Sequence, residues 1–205
     1  MLIEILDLGV NNLKSITKGI ESSFRGNLQV IDQASQSKSP SLIVLPGVGS
    51  FGVAMQSLRS RGFDELIANH LEEDKRIFGV CLGMQLMFQN SHESPEESGL
   101  AIFSGQVSRL DTSARVPNVG WLEADFIENE KWTGNNFASD FYFVHSYAVP
   151  VTENLPVLAK SLHGTQEFAS AVKSDLALGV QFHPEKSSRA GQELLRNVVD
   201  WSQSA

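Results

Sequence analysis

Cysteine occurs once in this chain of 205 residues, at Cys81, so no internal disulfide can form. That suits a reducing compartment and leaves a single thiol for chemistry or for plain packing. Basic residues are also few. Lys and Arg total 16 against 24 Asp and Glu, a formal net charge of -8, without the clustered cations that a nucleic-acid surface requires. The longest apolar runs, 42-LIVLPGVG-49 and 76-RIFGVCLGM-84, fall far short of the roughly 20 residues that cross a bilayer. The opening MLIEILDLG carries neither a basic segment nor a cleavage site, so no membrane contact is expected and the chain reads as cytoplasmic. CxxC and HExxH are both missing and the five histidines are scattered, which argues against a metal. No internal repeat is present, and the one biased stretch, 33-QASQSKSPS-41, is a polar loop bounded by Pro40.

What the chain has is enough apolar residues, 41%, for a sizeable core, and its length fits a single domain over 1–205. The N-terminal half alternates short apolar runs with amphipathic stretches. Residues 2–8 read as a strand, Asn11 or Asn12 caps a helix bearing Leu13, Ile16, Ile20 and Phe24, and 42–46 reads as a buried strand. Helices are expected at about 51–60 and 63–73, then a strand at 76–80 and a helix from about Gly83 to Gln89. From Gly105 the pattern becomes strands between turns, at 105–110, 119–127, 141–149, 167–172 and 177–183, before a helix at about 189–201. This is an α/β pattern with additional strands in the C-terminal half.

Cys81 sits in 79-GVCLGMQ-85, at the end of an apolar run. A lone cysteine there is ordinarily a small buried hydrophobe. Its flanks, however, give the G-x-nucleophile-x-G form of an elbow, a sharp strand-to-helix turn that lifts the side chain above the sheet. Glycines two residues away would relieve collisions with each other or with a substrate, and a following helix would favour thiolate through its dipole. A nucleophile needs a base. His183 in 181-QFHPE-185 comes with a carboxylate two residues on, Glu185, on the same side if the chain is extended, and Pro184 favours extension. The alternative is a surface His-Pro turn. A third motif, 46-PGVGSFG-52, satisfies G-x-G-x-x-G through Gly47, Gly49 and Gly52, but it follows a later strand, carries Pro46 and lacks an acid at the end of the next strand. His145, in the aromatic run 141-FYFVHSY-147, is read as structural.

The segments 46-PGVGSFG-52, 79-GVCLGMQ-85 and 179-GVQFHPEKS-187 resemble the triad-type, class I glutamine amidotransferases, and with 141-FYFVHSY-147 they resemble the glutaminase subunits of imidazole glycerol phosphate synthases. The resemblance runs from the first strand to the last helix. It implies a flavodoxin-like open mixed sheet flanked by helices, no cofactor, and glutamine as substrate. By it Cys81 would attack the glutamine amide, His183 would carry the proton and Glu185 would orient it. Gly47, Val48, Gly49 and Leu82 would supply the oxyanion hole, and Gln85, Glu93, Ser146 and Tyr147 would hold the glutamine head group. Lys186, Asn118 and Trp121 would face a synthase (cyclase) subunit with a (β/α)8 barrel in a heterodimer, to which ammonia is channelled for histidine biosynthesis. In 117-PNVGW-121, Asn118 stands where this family usually has histidine. With no long segment after HPEKS, the acceptor site is expected on another chain. Two other readings compete: a glutaminase serving surface-sugar amidation, aminodeoxychorismate or purine synthesis, and a non-catalytic α/β binding module.

Overall fold

The computed structural model describes residues 1–9, 13–111, 113–127, 132 and 138–203. Its parallel half is built from β1 (Leu2–Leu6), α1 (Leu13–Ser23), β2 (Asn27–Ile31), β3 (Leu42–Gly47), α2 (Phe51–Ser60), α3 (Phe63–Glu72), β4 (Arg76–Cys81) and the short α4 (Leu82–Leu86). There follow β5 (Phe88–Ser91), β6 (Phe103–Arg109), β7 (Asn118–Phe126), β8 (Ala138–His145), β9 (Tyr147–Pro150), β10 (Val157–His163), β11 (Gln166–Lys173) and β12 (Ala177–Val180), then α5 (Ser188–Gln203). The expected cap at Asn11 or Asn12 lies outside the described residues.

One open mixed sheet runs in the order β2-β1-β3-β4-β12-β11-β10-β7-β8. Its first five strands are parallel and the rest antiparallel. The order 2-1-3-4 is that of flavodoxin-like sheets, as expected. Strands buried on both faces must be apolar at successive positions. In β3, Leu42 and Val44 join the core under α1 and α5, while Ile43 and Leu45 join the core under α2 and α3. The helices answer with one stripe each: Ile16 and Ile20 on α1, Phe51, Met55 and Leu58 on α2, and Leu194, Leu195, Val198 and Val199 on α5. Off the main path, β5 pairs with β6, β6 with β9 and β9 with β11, forming a ribbon that walls one side of the sheet's carboxyl edge. No helix among the described residues is long and apolar enough to cross a membrane.

Several boundaries differ from the sequence reading. The helix expected from Gly83 to Gln89 stops at Leu86, and Gln89 lies in β5. The run 141–149 is not one strand: it breaks at Ser146 into β8 and β9, which pair with different neighbours. The strand expected at 177–183 ends at Val180, and β2, β5 and β10 are additional.

The glycines around Cys81 are required by the sheet rather than by a substrate. A Cβ on Gly83 would lie 1.7 Å from the Leu45 carbonyl oxygen, and one on Gly79 would lie 2.5 Å from Met87 Sδ and 2.9 Å from Met84 N. The Leu45 carbonyl cannot yield, because Leu45 belongs to the ladder next door, and Met84 N is main chain as well. Gly83→Ala is therefore expected to lower stability by about 3 kcal/mol, as overpacking against backbone does, which urea unfolding measures; an unchanged midpoint would show that α4 can slide away from β3.

Candidate active site

Three adjacent parallel strands end at the same level. Gly47 of β3 pairs with Cys81 of β4, and Val80 pairs with Val180 of β12, so the chain leaving β12 reaches His183 beside the cysteine. Cys81 is the turn residue itself, at φ 54 and ψ -111, a backbone conformation that L side chains rarely adopt. That strain aims its side chain out of the sheet into a cavity of about 340 Å³ lined by Val48, Gly49, Leu82, Gln85, Glu93 and His145 among others. With only five residues, α4 contributes a weak dipole, so the helix argument for thiolate made from the sequence carries little.

His183 and Glu185 meet, though not as two residues of an extended chain. Pro184–Lys186 form a single 3-10 turn with Pro184 in its first position, where its fixed φ is favourable, and His183 ahead of it is extended. The turn carries the Glu185 carboxylate back onto His183, whose Nδ1 lies 2.9 Å from Oε1, with both side chains almost wholly buried. Backbone and hydroxyl bonds lock the turn to β8: the His183 N–H donates to the Tyr142 carbonyl at 2.8 Å, and Ser187 Oγ donates to the His183 carbonyl at 2.6 Å. The same hydroxyl accepts the Tyr142 N–H at 2.9 Å. Behind the turn, α1 approaches so closely that a Cβ on Gly19 would stand 3.1 Å from Glu185 Cβ.

With Nδ1–H committed to Glu185, Nε2 is left as the acceptor, and it is buried without a hydrogen-bond partner. Burial alone would push this imidazole's proton affinity down, but the Cys81 sulfur and the Glu185 carboxylate outweigh it and carry its pKa up to about 10. A base with strong proton affinity beside a thiol is what sulfur nucleophiles require.

His145 is the opposite case. Burial pushes its pKa down to about 4, although a bond to the Tyr147 carbonyl opposes the shift. Its Nδ1–H donates to that carbonyl at 2.9 Å, so Nε2 accepts from Asn118 Nδ2 at 3.0 Å. Asn118 was expected on a partner-facing surface. It is instead 3% exposed, because β7 pairs with β8 in a register that turns Asn118 and His145 inward and Val119, Trp121, Tyr142 and Val144 outward. Trp121, 50% exposed, and the exposed Lys186 lie on the outer face, both against the Tyr142 ring.

The remaining residues gather at the cavity. Gln85 is buried, and its Nε2 donates to the Tyr147 carbonyl at 2.8 Å and to Gln181 Oε1 at 2.9 Å. Glu93 Oε2 accepts the Phe51 N–H at 2.7 Å and Ser94 Oγ accepts that of Gly52 at 3.1 Å, so this loop caps α2, whose own N-cap Ser50 makes no side-chain cap bond. The Ser146 carbonyl accepts from the Leu110 N–H at 2.9 Å. Sequence reasoning missed Gln181, fully buried, whose Nε2 lies 3.8 Å from Cys81 Sγ; a polar residue two positions before His183 at the end of an apolar strand was the available signal.

Residues 5–201 match the family model for glutamine amidotransferase class-I. The chain belongs to the class-I glutamine amidotransferases. Within that family it is 37% identical over 203 residues to the imidazole glycerol phosphate synthase subunit HisH of Chlorobaculum tepidum, covering 98% of this chain and 100% of that one. It is 40% identical to HisH of Pyrococcus furiosus, covering 95% and 96% of the two. These likenesses place this amidotransferase in the HisH family. Its fold is similar to a solved glutamine amidotransferase at a TM-score of 0.78, with 16% identity and coverage of 98% and 99%.

Buried His145 gives this amidotransferase a defined acid limit. The folded pKa of His145 lies below its unfolded 6.5, so its contribution is present above pH 6.5 and is lost as pH falls to about 4. Thermal unfolding between pH 7 and 4 should show a loss of up to about 3 kcal/mol from this group, and His145→Gln should flatten that slope; an identical slope in the variant would assign the acid sensitivity elsewhere.

Proposed function

We propose that this chain is the glutaminase subunit of an imidazole glycerol phosphate synthase, hydrolysing glutamine to glutamate and ammonia for a partner subunit in histidine biosynthesis. The observation that carries the reading is the line Glu185–His183–Cys81, whose sulfur end opens into the cavity, with Nε2 of the imidazole unpartnered beside the sulfur. Glutamine enters with its amide toward Cys81. Its ammonium goes to the second oxygen of Glu93 and to Gln85 Oε1, since the Gln85 amino group is committed to Tyr147 and Gln181. His183 accepts the thiol proton at Nε2, the sulfur adds to the amide carbon, and the carbonyl oxygen takes negative charge. Backbone N–H groups of Leu82 and of the loop Gly47, Val48 and Gly49 stabilise that charge. Gly49, at φ 102 with nothing within 4 Å of a notional Cβ, has the room to present one. His183 then gives its proton to departing ammonia, and water, deprotonated by the same imidazole, cleaves the thioester to glutamate.

A barrel-type synthase subunit docks on the outer face of β7 and β8. Val119 and Trp121, 58% and 50% exposed, with Val144, Tyr142 and Lys186, form an apolar patch with one cation that reaches the cavity through Val144. Sealing this face on docking keeps ammonia out of water, where it would be protonated and lost.

Cys81→Ala should remove glutaminase activity by about 1,000-fold or more while the chain stays folded, and His183→Asn should do nearly as much. Glu185→Gln should cost less, about 10- to 100-fold, because orienting a base matters less than being one. Glutamate release measured by a coupled assay decides; substantial turnover in Cys81→Ala ends the proposal. With the synthase subunit present, Lys186→Ala should retain hydrolysis but raise the ratio of glutamate to aminated product, because an interfacial charge fixes docking register more than affinity. A ratio equal to that of the unsubstituted pair would place the ammonia path elsewhere.

A further inference from the structure

Gln181 has no part in the reaction just described, yet it is fully buried and its side-chain amide ends 3.8 Å from the sulfur of Cys81. Which end of that amide faces the sulfur follows from the chain of bonds behind it. The Tyr147 carbonyl can only accept, so Gln85 must turn its NH2 toward it, at 2.8 Å. That NH2 also reaches Gln181, at 2.9 Å, and can only donate, so Gln181 must present its oxygen there and its own NH2 to Cys81. The orientation is held at the far end by a main-chain bond from the Gln181 N–H to the Ser170 carbonyl, at 2.9 Å.

The sulfur thus has different partners in its two protonation states. As a thiol it has the Val144 carbonyl to donate to, at 4.0 Å. As a thiolate it is an acceptor, and the groups aimed at it are a fixed amide N–H from Gln181 and the His183 imidazole. A thiol sulfur is a weak acceptor, whereas a charged one takes a charge-assisted bond of roughly twice a neutral bond's strength. A donor that cannot rotate away therefore favours the ionised form.

We propose that Gln181 is a second donor to the nucleophile: its side-chain amide, aimed by Gln85, holds the Cys81 sulfur as thiolate. The proposal rests on Cys81 being the nucleophile of the glutaminase reaction. It also ties the substrate pocket to the reacting atom, since the residue that aims Gln181 is one that lines the glutamine cavity.

Cys81 is the only cysteine of the chain, so alkylation by iodoacetamide reports on this one sulfur. The pH dependence of the alkylation rate is measured for the unsubstituted chain, Gln181→Met and Gln181→Glu, each checked for folding by its circular dichroism melt. Gln181→Met keeps the side-chain length and removes the donor; its profile should move to higher pH by about one unit, a roughly tenfold slower reaction on the acid limb. Gln181→Glu puts a carboxylate against the sulfur and should move it further in the same direction. A Gln181→Met profile that superimposes on the unsubstituted one overturns the proposal and leaves Gln181 as a prop for Gln85. If Gln181→Met does not fold, Gln181→Glu decides alone, and an unmoved profile there is equally fatal. Failure of the underlying reading would show separately, as turnover surviving in Cys81→Ala.

Discussion

The register of three parallel strands is the constraint on which everything at the carboxyl edge depends. β3, β4 and β12 are hydrogen-bonded neighbours, and their pairings put Gly47, Cys81 and the exit from Val180 side by side. Side chains alternate between faces, so a slip of one residue in either ladder would invert the burial of a whole strand. Such a slip is resisted by both cores at once. Val44, Phe78, Val80 and Leu178 are packed on one face, and Ile43, Leu45, Ile77 and Ala177 on the other. The hydrophobic effect thereby sets the relative positions of the three loops and so brings side chains such as Gln181 and Cys81 within 3.8 Å, as ligand sites at the carboxyl ends of open α/β sheets generally require.

On that scaffold the polar groups around the cavity leave one another little freedom. A carbonyl that only accepts fixes the amide of Gln85, which fixes that of Gln181; the same carbonyl fixes the tautomer of His145, which in turn fixes Asn118. The site is pre-organised through donor and acceptor bookkeeping, and each member is buried, so the penalty for leaving one unpaired enforces the arrangement. His183 is held differently, by its own main chain to β8 and by the Glu185 carboxylate, which leaves one ring nitrogen free of any fixed partner.

Much of this was legible in the sequence, for identifiable reasons. Strands buried on both faces, such as Leu42–Gly47 and Arg76–Cys81, write themselves as continuous apolar runs between turn signals, and α2 and α3 show clear helical stripes. The glycines on each side of Cys81 marked the elbow, and the collisions they avoid are with Leu45, Met84 and Met87 as well as, for Gly79, with Gly83 itself. What was hidden lacks local periodicity. β5 has four residues, and β10, VLAKSLH, is interrupted by register shifts against β11, so alternation fails as a signal. Asn118 lies one residue from an exposed valine and three from an exposed glycine-flanked tryptophan, and only the pairing register decides which of them points inward. Gln181 and the capping role of Glu93 depend on contacts across 96 and 42 residues, which no short motif records.

The solitary thiol has a chemical consequence of its own. Oxidation of a cysteine sulfur to the sulfenic acid is reversible when a second thiol condenses with it, and continued oxidation to the sulfinic and sulfonic acids is not. Cys81 opens into a cavity that admits small molecules, and no other cysteine exists in the chain to act as a resolving partner. Repair of a first oxidation by thiol condensation therefore needs a thiol from outside the chain, small enough to enter that cavity. Whatever fills that cavity stands between the sulfur and both oxidant and repairing thiol.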